Sequence, residues 1–79
     1  MNQSTKKEVS ELLDKLKTIE ASVRNLSDEL NEKYDNLSER QQDSDRGMAM
    51  WDEAECLTNA ADSIDDAINE LTDCMKLQQ

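Results

Sequence analysis

Apolar side chains recur in this chain in two blocks, each stepping alternately by three and four residues. In the first block the series is Val9, Leu12, Leu16, Ile19, Val23, Leu26 and Leu30, with Leu13 widening it near the amino-terminal end. In the second it is Met50, Ala54, Leu57, Ala61, Ile64, Ile68, Leu71 and Met75. Such alternation gathers the apolar positions on one stripe of an α-helix, and two stripes of similar length predict two helices packed along a common seam. The seam position after Leu30 is Lys33, which ends the first pattern, and residues 34–47 are polar without an apolar period. The pattern therefore predicts a first helix over about residues 5–34, a turn over about 35–37 and a second helix over about 38–76, its core part being 48–75.

Punctuation along the chain sharpens these limits. Thr5-Lys6-Lys7-Glu8 reads as a capping box that starts the first helix, and Ser38 with Gln41 reads as a second one. Asp35-Asn36 is turn chemistry, because both side chains bond nearby backbone and tolerate left-handed angles. Gly47 costs about 1 kcal/mol relative to Ala inside a helix, so either the second helix begins near Met48 or the glycine permits a close contact. A sharp reversal at Asn36 sets Val23 near Met50, Leu16 near Leu57 and Val9 near Ile64, and leaves Ile68, Leu71 and Met75 overhanging. A long loop from Asp35 to Gly47 would remove the overhang. The sharp turn is preferred, since structureless loops of about a dozen residues are uncommon in small domains.

An overhang needs cover, and a chain of 79 residues rarely buries enough apolar surface alone. Ala54 and Ala61 on the seam, with Ala60, Ala67 and Cys74 beside it, are small enough to admit a further helix. The expected fold is all-α: a single domain, an antiparallel helical hairpin that self-associates into a helical bundle, most simply a dimer of four helices. The absence of Phe, Pro and His, with one Trp and one Tyr, fits that class and removes the usual parts of an aromatic-lined barrel or sandwich.

Composition narrows the chemistry. Cys56 and Cys74 lie eighteen residues apart on one predicted helix, roughly 27 Å at about 1.5 Å per residue, too far for a disulfide, and are expected to be reduced structural thiols. With no His and no CxxC pair, no metal is expected, and no cofactor. Carboxylates abound, but no nucleophile–base pair, phosphate loop or oxyanion donor accompanies them, so the chain is expected not to be an enzyme. No apolar run is long enough for a bilayer and the polar start MNQSTKKEVS lacks a signal-peptide core, which points to the cytoplasm.

Charge changes the picture most. The net charge is −10, which disfavours direct contact with nucleic acid or anionic membrane and favours basic partners. In the first helix Glu11–Lys15, Glu20–Arg24 and Glu29–Lys33 pair acid before base at i,i+4. From Asp52 to Asp73 eight acids follow without an interleaved base, and Asp52, Glu55, Asp62, Asp66 and Asp73 fall near one stripe. That stripe is either an ordinary solvated face or a partner-binding surface in which carboxylates stand in for nucleic-acid phosphates. Trp51, next to seam residue Met50, either covers the edge of the core or anchors a ligand. In the second case Tyr34, Gln42, Ser44 and Arg46 would complete a pocket between protomers, with Arg40 and Arg46 its nearby cations, suited to a nucleotide signal.

The string Tyr34-Asp35-Asn36-Leu37-Ser38-Glu39, followed by Gln42, Ser44, Gly47 and an acidic amphipathic helix, resembles a group of small acidic proteins encoded by tailed bacteriophages and prophages. The resemblance spans residues 34–75. Ser38 stands where those proteins usually have Pro, and Gln41 where they usually have Leu. The resemblance implies a phage setting and a helical hairpin. Joined to the charge pattern, it gives the expectation of a non-enzymatic protein that binds and inhibits a host macromolecule in the host cytoplasm, such as a defence nuclease. The alternatives are an oligomer that sequesters a nucleotide signal, and a structural helical adaptor.

Overall fold

The structure, a computed structural model, describes residues 1–77. It contains two long helices, α1 (Gln3–Asp35) and α3 (Asp45–Lys76), joined through a single-turn helix, α2 (Glu39–Gln42), and no strand among the described residues. The long helices pack against each other in a hairpin-like rod of 58 × 15 × 13 Å. Their contacts run in opposite order: Tyr34 meets Trp51, Ser27 meets Ala54 and Thr58, and Arg24 meets Asp62.

The first helix starts earlier than Thr5. Asn2 is its N-cap, with Oδ1 accepting from the Thr5 amide at 2.8 Å, so Thr5 is the donor of the capping bond rather than the cap. At the other end Asn36 keeps right-handed angles (φ −82°, ψ −7°), and its amide donates to Glu32 O. No described residue has a positive φ, so the reversal uses no left-handed turn residue.

The connection is neither a sharp turn nor a loose loop. Ser38 and Gln41 do form the reciprocal capping box, at 3.2 Å and 3.0 Å, but the helix they start ends after one turn. Ser44 then caps α3, its Oγ accepting from the Gly47 amide at 3.1 Å. The second helix is thus broken at Asp43-Ser44 and restarts at Asp45, between the two starts the sequence offered. Gly47 lies in the first turn of α3 and is buried against α2. A Cβ on it would sit 2.6 Å from Gln42 O and 2.8 Å from Gln42 Cα, and closer still to Gln41 O. The close-contact reading of this glycine is the one the fold uses.

This compact connection consumes the residues that a sharp turn would have left in the second helix, and α3 slides back along α1. Ser27 lies opposite Ala54, where the sharp-turn register sets Ile19, and the overhang disappears: Ile68 is buried and Leu71 and Met75 are half-buried within the chain. The register is fixed by size. Ser27 is buried against Ala54; one heptad further along each helix, Glu20 falls opposite Ala61 and Leu13 opposite Ile68. Ala54 and Ala61 are 2% and 0% exposed, so the backbones approach closely where the facing side chain is short or can turn outward. Ser27 Oγ, Thr58 Oγ1 and Ala54 O form a closed triangle of 3.0, 2.7 and 3.1 Å, which satisfies the buried hydroxyl.

The seam of α1 also differs from the expectation. It runs through Val9, Leu13, Leu16, Glu20, Val23, Ser27, Leu30 and Tyr34, all buried or half-buried. Leu12, Ile19 and Leu26, expected on the seam, are 50%, 49% and 51% exposed. The apolar stripe of α1 is wider than one helix can cover, and α3 takes the side where small or polar residues admit it. Cys56 and Cys74 are both exposed, so neither thiol is a packing element within the chain. No helix among the described residues is long and apolar enough to cross a membrane.

Candidate interaction faces

The rod has two unlike flanks. At helical spacing, Lys17, Arg24 and Asn31 border one side of the α1 seam and Leu12, Ile19 and Leu26 the other. Arg24 reaches Asp62, and Asn31 shares a hollow of about 240 Å³ with Trp51, Ala54, Glu55 and Thr58, so this flank of α3 adjoins the polar side of α1. Ala60, Ala67 and Cys74 consequently border the Leu12–Ile19–Leu26 side. One flank is apolar from Ala60 to Cys74 on α3 and from Leu12 to Leu26 on α1, with Glu53 one heptad before Ala60; the other is polar and acidic.

Asp52, Glu55, Asp62, Asp66 and Asp73 are all exposed, as are Glu53, Asp65 and Glu70 between them. At about 100° per residue the five stripe residues lie on the outer surface of α3, away from the buried line Gly47, Ala54, Ala61 and Ile68. One of the five is already engaged. Arg24 donates through Nε to Glu20 at 3.0 Å and through an Nη to Asp62 at 3.1 Å, and these bonds, Glu20 first, raise its pKa above the ordinary arginine value. Glu20–Arg24 is thus formed as expected, but Arg24 also crosses to α3, while Glu11–Lys15 and Glu29–Lys33 make no ion pair among the described residues. α1 does not neutralise only itself.

The aromatic site divides in two. Tyr34 and Trp51 rings lie 5.3 Å apart at 56°, and with Gln42, Asp43, Met48 and Asp52 they line a hollow of about 500 Å³. Gln42 is oriented there by donating its side-chain amide to Tyr34 O at 3.0 Å. Ser44 and Arg46 are not part of it. They line a separate hollow of about 170 Å³ with Leu37, Gln41, Gly47 and Met50, and the Ser44 hydroxyl is spent as the α3 cap and on Gln41 O. Arg40 lines neither. Sequence reasoning missed Asp43, Met48 and Asp52 as the remaining walls; Met48 lies three residues before Trp51 and four before Asp52, which sets them on one side of α3, and the bend at Asp43-Ser44 brings Asp43 there. Among the described residues no group of three or more Cys, Asp or Glu side chains is placed to hold a metal ion.

Compared with known proteins, the chain matches no protein-family model, no curated protein and no solved structure.

Proposed function

We propose that this chain is a non-enzymatic interaction protein of phage type, an antiparallel hairpin that pairs with a second copy and uses its acidic face to occupy a basic surface of a host macromolecule. The observation that carries the reading is the exposed stripe of five carboxylates, Asp52, Glu55, Asp62, Asp66 and Asp73, on the outer surface of α3. At about 1.5 Å per residue it extends roughly 31 Å, one charge per about 8 Å. A DNA strand carries one phosphate per roughly 3.4 Å of helix axis, so the stripe offers about one carboxylate for every two phosphates to a groove built to hold a nucleic-acid strand.

Self-association is supported by surface. The chain exposes 6032 Å², whereas a compact monomer of 9.0 kDa would expose about 4,900 Å². The excess is comparable to the roughly 800 Å² that each partner contributes to a stable interface. Leu12, Ile19 and Leu26, flanked by Ala60, Ala67 and Cys74, supply an apolar strip of the right shape, on the side away from the Arg24–Asp62 bridge and its acidic stripe. A nucleotide-sequestering pocket draws less support, because Asp43 and Asp52 line the aromatic hollow and neither Arg40 nor Arg46 does.

The test is affinity capture from bacterial lysate with the parent and with a Glu55→Lys, Asp66→Lys double variant, which spares the Arg24 bridge. The parent should retain a basic nucleic-acid-binding protein that added salt or duplex DNA releases, and the variant should not. Equal retention by both, insensitive to salt, rules the acidic face out as the binding surface.

A further inference from the structure

Trp51 and Met48, 52% and 58% exposed, are large apolar side chains left at the surface where α2 meets α3. Their exposure has a particular chemistry around it. The hollow they border is lined by two aromatic side chains in contact with each other, Tyr34 and Trp51, and by two acidic residues, Asp43 and Asp52. No Lys or Arg is among its lining residues. Arg24 is held by Glu20 and Asp62, and Arg46 lines the separate hollow behind Gly47.

An aromatic pair with carboxylates and no cation of its own selects a cation that can also lie flat on a ring. Guanidinium meets both needs. It is planar, weakly hydrated, stacks on aromatic faces and offers forked donors to carboxylates, whereas a lysine ammonium is compact and strongly hydrated. Gln42, held by its bond to Tyr34 O, keeps a side-chain carbonyl as a further acceptor. Phosphate or a nucleotide would meet two negative charges here instead.

We propose that the Trp51 hollow receives an arginine side chain of the basic partner, a site that rests on the reading of this chain as a binder of basic surfaces. The hollow adjoins the acidic run through Asp52, so an arginine seated in it would fix the register of a basic strand or helix along α3.

Trp51 is the sole tryptophan, so its fluorescence reports on the hollow directly. The probe is Nα-acetyl-arginine amide, with the citrulline amide as its uncharged counterpart and adenosine monophosphate as the anionic competitor. Arginine amide should give a saturable change in the millimolar range, citrulline amide and the nucleotide none. Asp43→Asn and Asp52→Asn should each weaken the arginine response about threefold or more, the order expected for one exposed charge contact. Asp66→Asn with Asp73→Asn, on the run but away from the hollow, should leave it unchanged. The site is refuted if citrulline amide responds equally, if the response does not saturate, or if the Asp66, Asp73 variant weakens it as much as Asp43→Asn does. Loss of partner capture in the Glu55, Asp66 reversal with the arginine response intact separates the two readings: the hollow and the acidic run can then fail independently.

Discussion

Replacing Gly47 with Ala sets helix propensity against a steric conflict of known position. Gly47 lies in the first turn of α3, and by propensity alone Ala would stabilise the helix by up to about 1 kcal/mol. The three atoms nearest the new Cβ, however, are all backbone: Gln41 O, Gln42 O and Gln42 Cα. Backbone cannot rotate aside as a side chain can, so α2 has to move as a unit by about 1 Å to restore ordinary contact. That movement breaks the bonds tying α2 to its neighbours: Gln42 to Tyr34 O at 3.0 Å, the Ser44 amide to Gln41 O at 3.2 Å, and the Ser44 hydroxyl to the same carbonyl. At about 0.5–1.5 kcal/mol each, three such losses outweigh the propensity term and leave a net destabilisation of about 1–3 kcal/mol. For a chain of this size the melting temperature should fall by about 5–20 °C, followed by circular dichroism at matched protein concentration. Ala49→Gly, at an exposed site two residues on, measures the propensity term alone. A Gly47→Ala protein that melts at or above the parent would refute the close packing of α2 on α3.

Three further outcomes test other parts of the structure. Ile19→Asp should leave helicity unchanged, because the site is half exposed within one chain, yet reduce the mass in sedimentation equilibrium from at least twice the chain mass to a monomer; a monomeric parent would remove the proposed pairing. In the same pair of proteins, Cys74 should react with a thiol reagent more slowly in the parent than in Ile19→Asp, while exposed Cys56 reacts alike in both; equal Cys74 rates would place the interface elsewhere. Ser27→Ala should cost about 0.5–1.5 kcal/mol in urea unfolding and Ser27→Val about 1–3 kcal/mol, since Val both removes the hydroxyl and overfills the contact with Ala54; a stabilising Val would contradict the close approach there.

Much of this architecture is legible in the chain, and the parts that are not share one cause. Periodicity identifies both long helices, and the residue types of Ser38 and Gln41 identify a real capping box, because these depend on local spacing alone. Periodicity cannot say which of two overlapping stripes on α1 faces α3. Counting apolar residues selects Leu12, Ile19 and Leu26, but α3 approaches through Gly47, Ala54 and Ala61, whose small size favours a side where backbones come close, and there α1 offers Tyr34, Ser27 and Glu20. The buried polar triangle at Ser27 was therefore invisible to a hydrophobic count. The register departs from the sharp-turn expectation because the connection is a third form, a one-turn helix between a tight turn and an open loop. Ser44 with Gly47 three residues on carries the signal of a second helix start, and two starts six residues apart imply the one-turn helix between them. The pocket reading failed in the same place: the break at Asp43-Ser44 turns Ser44 and Arg46 to one side and leaves Asp43 with Trp51 on the other.

The two unlike flanks have a consequence for the assembled form. In the proposed dimer, a two-fold axis through the Leu12–Ile19–Leu26 strip places the same patch of each copy against the other, so the polar flanks must point outward on opposite sides. Each pair would then carry two acidic runs and two Trp51 hollows, far apart and facing away from one another. Repulsion between the runs, which would oppose association of chains with a net charge of −10, is lowest in that arrangement. The Arg24 bridge to Asp62 works in the same direction, placing a positive charge between the acidic run and the seam and so reducing the field that one chain presents to the next. In the proposed assembly, association and partner binding would thus draw on separate surfaces of the same two helices. A partner with two basic grooves, or two copies of one partner, could be held by a single dimer without either contact disturbing the core at Ala54 and Ala61.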